Sequence, residues 1–338
     1  MGETTMRFKH AAMAAALVLV ALISQPARSE VNEIRITYQP GIIYLPVVVM
    51  RHEKMIEQAA AKAGVPGFKA SYSIFGGGGA ATDALLSGNV DVVTTGVSNM
   101  LLLWDRTKGG VKGFASSSAT PMWLISTDPK VKTLADLTSA DRIAVPTVKI
   151  SSQAILLQMA ARKLYGDDQF ARLDQYTTTL GHPDAMAALG SGGSGLNGHF
   201  SGSPFQQQEA KLPGAHVVIT STEILGGPLS NAVYFGMTKF HDENPKTVAI
   251  FLEAARAAQD FIAAHPREAC AIYAEMSGDK TSLDGLTAMI TQPDMFYNLI
   301  PVGTMATALH MADTHVLKTR PTSWKDYFFA DIYQQPGN

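Results

Sequence analysis

Four consecutive glycines, Gly76 to Gly79, stand between an apolar run ending at Phe75 and a helical pattern through Ala84, Leu85 and Leu86. Ser87-Gly88-Asn89 breaks that pattern, and a β-branched run, Val92-Val93-Thr94-Thr95, follows. Strand, glycine loop, helix and strand in so short a stretch make a compact βαβ unit. Such a loop lays bare backbone N–H groups at a helix N-terminus, where the helix dipole favours negative charge.

The same alternation runs through most of the chain. Apolar or alternating runs predict strands at 34–38, 68–75, 92–95 and 111–116, then 122–126, 142–146, 174–179, 197–201, 216–220 and 233–237. Between them, one helix is expected over 44–63, with Pro46 in its first turn and Gly64 as its stop. Others are expected through Leu101 to Trp104, from Ser151-Ser152 to near Gly166, and over 182–189 and 205–212. A long helix opens between Asp242 and Pro245, and further helices follow at 266–276 and 304–316. The aromatic tail 321–329 is expected to pack back onto the body of the protein. Strands separated by helices of this size predict mostly parallel sheets, here in two similar blocks without a fixed repeat period.

Composition narrows the function. The 338 residues suffice for two domains, and 46% hydrophobic with 17% charged residues is ordinary for a globular chain. A net charge of −2 without a basic block argues against nucleic acid as a partner. Arg7, Lys9 and His10 precede an apolar run from Ala11 to Ile23, then Ala27-Arg28-Ser29. That order predicts a secretory signal over 1–29, cleaved after Ser29, and a soluble exported protein. The run is short for a membrane anchor. A single cysteine, Cys270, excludes an intrachain disulfide and sits in a helical pattern as a buried structural thiol.

Several short pieces carry a resemblance over nearly all of the mature chain. They are Tyr38-Gln39-Pro40, the run from Ala84 to Asp91, Gly96-Val97-Ser98, the run from Asp141 to Pro146 with Ser151-Ser152, and the run from Asp184 to Leu189. Phe200 to Phe205 and Asp242 to Lys246 complete the set. In this order they resemble the periplasmic solute-binding proteins of ABC importers of the nitrate/sulfonate/taurine type, relatives of the binders of thiamine pyrimidine precursors. The stretch from Gly190 to Asn197 departs from that pattern, being richer in glycine and serine. The resemblance implies an α/β, two-lobe fold with two hinge crossings, near 121–124 and 229–233. Lobe 1 would comprise 30–121 and 232–338, and lobe 2 would comprise 122–231. It also implies a periplasmic monomer that captures a small-molecule solute and delivers it to an ABC permease in the inner membrane, with no cofactor, no metal and no catalytic residues.

Independently, ligands of open α/β sheets bind beyond the C-terminal ends of the strands. There, Gly78 and Gly79 would offer backbone N–H groups, and a β-branched residue at Gly79 is expected to block the ligand. Ser98 and Asn99 would add a hydroxyl and an amide, and Ser151 and Ser152 would do the same from the opposite lobe, although a serine N-cap needs no ligand to explain it. Gln39 lies in another such loop. His199 would hydrogen-bond the ligand or satisfy a buried neighbour, and Tyr38 and Phe200 would stack on a planar ligand or fill the core. Lys149 is a lone loop cation. No arginine falls in these loops, which leaves room for neutral or zwitterionic ligands beside anionic ones.

Enzymatic readings are thin. Gly76, Gly78 and Ala81 fit a loose dinucleotide fingerprint, but after the second strand instead of the first, and no Gly-Lys-Ser/Thr follows. His310 and His315 face different sides of a helix, and no HExxH or G-x-S-x-G occurs. The expected ligand is therefore a small sulfonate, taurine or nitrate-like solute. A pyrimidine precursor or other small heterocycle is the alternative, and a secreted enzyme of the same fold the lesser one.

Overall fold

A computed structural model describes residues 30–338; the expected signal peptide lies outside the described residues. Among the described residues, ten strands form two five-stranded sheets. The strands are β1 (Glu33–Tyr38), β2 (Lys69–Ile74), β3 (Val92–Thr95), β4 (Val111–Ser118), β5 (Trp123–Ser126), β6 (Ile143–Val145), β7 (Thr177–Thr179), β8 (Gly198–Ser201), β9 (His216–Thr220) and β10 (Ala232–Met237). The first sheet has the order β2-β1-β3-β10-β4 and the second β7-β6-β8-β5-β9.

The two orders are the same pattern, and each sheet is mostly parallel, as expected: four strands run one way and a single strand runs against them. In the first, β1 pairs β2 and β3 in parallel while β10 runs antiparallel to β3 and β4. In the second, β6 pairs β7 and β8 in parallel while β5 runs antiparallel to β8 and β9. The antiparallel strands β5 and β10 are the first strands after each passage between sheets. A chain leaving the C-terminal end of one sheet's parallel strands enters the facing sheet from the same end, so its first strand must run backwards. Thr120 in the first passage is tied to Asn231 in the second: its backbone N–H donates to Asn231 Oδ1 at 3.1 Å, and Asn231 Nδ2 donates to its hydroxyl at 2.9 Å.

Thirteen α-helices flank the sheets among the described residues: α1 (Leu45–His52), α2 (Met55–Lys62), α3 (Gly78–Leu86), α4 (Val97–Arg106), α5 (Ser152–Tyr165), α6 (His182–Ser191), α7 (Phe205–Glu209), α8 (Ser221–Leu225), α9 (Thr238–Glu243), α10 (Pro245–Ala264), α11 (Pro266–Ser277), α12 (Leu283–Ile290) and α13 (Thr304–Asp313). The expected single helix over 44–63 is two. Lys54 adopts a left-handed conformation, φ 51°, and turns the axis so that both α1 and α2 lie against the long α10. The expected strand over 174–179 shrinks to three residues, because Asp174 is pinned to α5 by two hydrogen bonds from Gln158 Nε2 at 3.0 and 3.1 Å. Leu45 to Met50 are all buried. None of these helices is long and apolar enough to cross a membrane.

Motif residues that carried the family likeness prove to brace the sheets. Asp91 accepts from the backbone N–H of Arg35 at 2.8 Å and from its guanidinium at 2.9 and 2.6 Å, while Arg35 Nη1 donates to Gly88 O at 2.7 Å. The turn after α3 is thereby clamped to β1. In the second sheet Asp141 accepts from the backbone and hydroxyl of Thr138 and from Asn197 Nδ2. The aromatic tail closes the edge of the first sheet. Gly113 on β4 donates to Tyr327 O at 2.9 Å and accepts from Phe329 N at 2.8 Å, and Phe328 is fully buried beside it. An edge strand covered in this way offers no free ladder to another chain. Cys270 is buried, and burial pushes its thiol up to about 11.

Candidate functional site

The C-terminal ends of the parallel strands in the two sheets face each other across a cleft. Helices α3 and α4 of the first sheet and α5 and α6 of the second all begin there, each after a strand end. Their N-caps are Gly77, Gly96, Ser151 and Gly181, and only Ser151 uses its side chain, accepting from Ala154 N at 3.3 Å. The three glycine caps leave first-turn N–H groups without a side-chain acceptor, which is the electrostatic setting that attracts an anion.

Small residues let these helix starts approach closely. A Cβ on Gly77 would sit 3.1 Å from Pro146 O in the opposite lobe, one on Gly181 3.1 Å from Gly76 O, and one on Gly96 2.6 Å from Ser152 Oγ. Ser98 Oγ and Ser152 Oγ are 3.4 Å apart across the same seam, and Ile42 N donates to Ser203 O at 3.1 Å. The glycine run thus does more than expose N–H groups: through Gly76 and Gly77 it forms part of the surface on which the lobes meet.

Between them lies a cavity walled by Gln39, Ile43, Tyr44, Gly78, Thr95, Gly96 and Asn99 from the first lobe. Pro146, Ser151, Ser152, Gln153 and His182 come from the second, and Met122 and Asn231 from the passages. The space between wall atoms is about 340 Å³, but a water molecule can be centred in only about 20 Å³ of it, room for roughly one or two waters. Larger hollows lie elsewhere. One of about 480 Å³ lies behind the passages near Pro121 and Phe296, and one of about 530 Å³ runs between Pro40, Phe205 and Lys280. Both are somewhat more open, and neither is lined from the starts of all four helices α3 to α6, so the cleft is the better candidate.

Among the described residues, no Asp, Glu, Lys or Arg lines the cavity. Its polarity comes from amides, hydroxyls and one imidazole. Gln39 Nε2 donates to Tyr44 Oη at 2.8 Å and to Thr95 Oγ1 at 2.5 Å, and burial pushes the Tyr44 phenol above its usual range. Burial, then the neighbouring His199, holds His182 well below the ordinary histidine value. Among the described residues no group of three or more His, Cys, Asp or Glu is placed to hold a metal ion.

Of the ten residues expected at the site, five stand in the cavity wall: Gln39, Gly78, Asn99, Ser151 and Ser152. Ser98 is fully buried and reaches the seam only through its contact with Ser152. Gly79 stands off: a Cβ there would meet only Thr147 Oγ1, at 3.9 Å, an ordinary contact, whereas one on Gly78 would lie 2.6 Å from Thr95 Oγ1 and 3.0 Å from the Asn99 amide. The glycine that must lack a side chain is therefore Gly78.

Tyr38, His199 and Phe200 are placed behind the wall. The Tyr38 hydroxyl accepts from Arg51 Nη1 at 3.0 Å, whereas Gln39, one residue past the end of β1, sends its amide to Tyr44 and Thr95. Phe200 is fully buried in the core. His199 is fully buried between Glu209 and His182. Lys149 is exposed and faces Asp174. The sequence reading passed over Tyr44, Thr95, Gln153, His182 and Asn231. A histidine opening a helix directly after a strand was a usable signal for His182; the others are set by which way their segments turn.

Two lobes with identical strand order, each with one antiparallel strand directly after a passage and both closing on a cleft of helix starts, define the periplasmic binding protein fold. The profile of the NMT1-like family matches residues 27–277, and the chain belongs to that family. No curated protein sequence matches it. Among solved structures it is similar to the alkanesulfonate-binding protein SsuA from Xanthomonas axonopodis pv. citri bound to MOPS, with 18% identity and a TM-score of 0.64, covering 86% of this chain and 96% of that one. It is also similar to the periplasmic aliphatic sulphonate binding protein SsuA from Escherichia coli, at 17% identity and a TM-score of 0.64, covering 89% and 92%. A third similar structure is the ligand-binding component of an ABC-type import system from Staphylococcus aureus with zinc bound, at 16% identity and a TM-score of 0.62, covering 89% and 98%.

Proposed function

We propose that this chain is the periplasmic solute-binding component of an ABC importer, with lobe 1 at 30–121 and 232–338 and lobe 2 at 122–231. It captures a small sulfonate, taurine or nitrate-like anion in the cleft and hands it to the membrane permease as a monomer. The observation that carries this reading is the convergence of four helix N-termini on a cavity without a single carboxylate. An anion desolvated there meets N–H, amide and hydroxyl donors instead of competing negative charge. The names of the two sulfonate-binding relatives favour the same ligand class.

The lobes touch, and the remaining space is smaller than an alkanesulfonate, so the solute enters with the lobes apart and is held as they close. The pyrimidine alternative is the weaker reading, because the rings expected to stack, Tyr38 and Phe200, are core residues, and the rings in the wall are Tyr44 and His182. An enzymatic reading has no wall serine hydrogen-bonded to His182 to activate a nucleophile. Isothermal titration calorimetry against ethanesulfonate, taurine, nitrate and an aminopyrimidine tests the proposal, with chromatography of the recovered ligand. Binding of the anions with unchanged ligand is expected; tight pyrimidine binding without anion binding, or turnover, would overturn it.

A further inference from the structure

Behind the cleft wall runs a buried chain of titratable groups. His182 Nδ1 lies 2.8 Å from His199 Nε2, His199 Nδ1 lies 2.5 Å from Glu209 Oε1, and Ser201 Oγ donates to Glu209 Oε2 at 2.7 Å. His199, Glu209 and Ser201 are fully buried. At the cleft end, His182 stacks on Phe205 with ring centroids 5.5 Å apart, and its Nε2 lies 3.4 Å from Nε2 of Gln153, which shares the cavity wall.

The proton count of this chain is constrained. Glu209, with Ser201 donating to one oxygen, acts as an acceptor, so the bond to His199 holds one proton on Nδ1. The bond between the two imidazoles holds one more. Two protons on two rings leave both neutral, and His182 Nε2 is then bare, an acceptor facing the Gln153 amide N–H. A bare nitrogen repels an anion. Moving an existing proton to Nε2 would break one of the two buried bonds and leave its partners unsatisfied. Only a third proton turns Nε2 into a donor, and the charge it brings is neutralised along the chain by Glu209.

We propose that anion capture in this cleft takes up one proton, which converts His182 Nε2 from acceptor to donor, and that Glu209 is the positioning residue that makes this possible through His199. This rests on the anion reading above. A sulfonate is a strong acid's anion and cannot supply the proton, so it comes from solvent. Among the described residues, no other charged side chain bonds the relay. On the elements packed around it, Asp184 at the start of α6, Lys211 after α7 and Arg142 before β6 are exposed to solvent. The sign follows: an adjacent anion favours the protonated relay, so affinity is highest at low pH, falls about tenfold per pH unit between the free-state and bound-state titrations, and levels off above the latter.

The test is calorimetry of the wild-type protein with ethanesulfonate near pH 6, in two sulfonate-free buffers of unlike ionisation enthalpy, with ¹⁵N spectra of the histidine rings. Uptake of about one proton is expected, with Nε2 of His182 bare before ligand and protonated after it. Glu209→Gln keeps an acceptor for His199 Nδ1–H but removes the charge, so uptake should vanish and affinity should fall about tenfold, the difference between charge-assisted and neutral hydrogen bonding. Tight binding with no proton taken up at any pH, or a protonated Nε2 in the free protein, would overturn the proposal. If ethanesulfonate does not bind, the anion reading falls, while the ring spectrum of the free protein still decides the relay. That spectrum needs no variant to fold.

Discussion

Gly77→Val tests whether the seam between the lobes is a closure surface. Gly77 has φ −165° and ψ 159°, an extended backbone that any residue adopts, so the substitution brings no backbone strain. Its Cβ would lie 3.1 Å from Pro146 O, where ordinary contact begins at 3.4 Å. The deficit is met by a backbone carbonyl of the opposite lobe, which has no rotamer to escape into, and valine adds two further methyl groups on the same Cβ. Overpacking of this kind costs about 1–3 kcal/mol, here charged only to the closed state. Affinity for ethanesulfonate should fall roughly fivefold to a hundredfold. The free protein should melt at the same temperature or slightly higher, because replacing glycine narrows the unfolded ensemble by about 0.4–1 kcal/mol. Calorimetry and thermal unfolding of the same preparation read both effects. Wild-type affinity would refute the reasoning that ligand capture closes this seam, and a clear drop in the melting temperature would show that the contact belongs to folding.

Asp91→Ala removes the acceptor of three hydrogen bonds from Arg35 and should lower stability by about 1.5–3 kcal/mol, read from the urea midpoint, with little change in ligand affinity. Gly113→Ala places a Cβ 2.4 Å from the Phe328 ring and 2.7 Å from Met100 Sδ. It should loosen the C-terminal tail at a cost of about 1–3 kcal/mol, seen as faster amide exchange at Phe329. Burial works against ionisation of Asp141, but hydrogen bonds from Thr138 and Asn197 outweigh it and lower its folded value. Its contribution is therefore present above the unfolded value of about 3.9 and is lost as pH falls through the lower folded value. Asp141→Asn should flatten the acid limb of the stability curve in that window, and an unchanged limb would contradict the assignment.

Half of the expected residues fall in the cavity wall because cleft residues of α/β folds sit where strands end and helices begin, and those junctions have local signatures. Gly78, Asn99, Ser151 and Ser152 were reachable through a glycine run and two serine- or asparagine-bearing helix starts. What failed was facing. Tyr38 and Gln39 are neighbours, yet Tyr38 ends β1 with its hydroxyl on Arg51, while Gln39, just past the strand, sends its amide to Thr95 in the cavity wall. On β8, His199 and Phe200 both turn into the interior, because the strand is covered on both faces and its end carries no side chain into the cleft. Gly79 was one residue too far along α3, where the first turn has already rotated away from Thr95 and Asn99.

Sequence alone determined the alternation of strands and helices, the glycine and serine helix starts, and the absence of cationic clamps in the loops. These depend on periodicity and on backbone conformations that a few neighbouring residues dictate. Tertiary structure decided that β5 and β10 run backwards, that Gly77, Gly96 and Gly181 form a seam, and that Glu209, His199 and His182 line up behind one wall. Each of those facts pairs segments distant along the chain. Such pairings are chosen by how sheets stack and lobes close, and no local pattern encodes them.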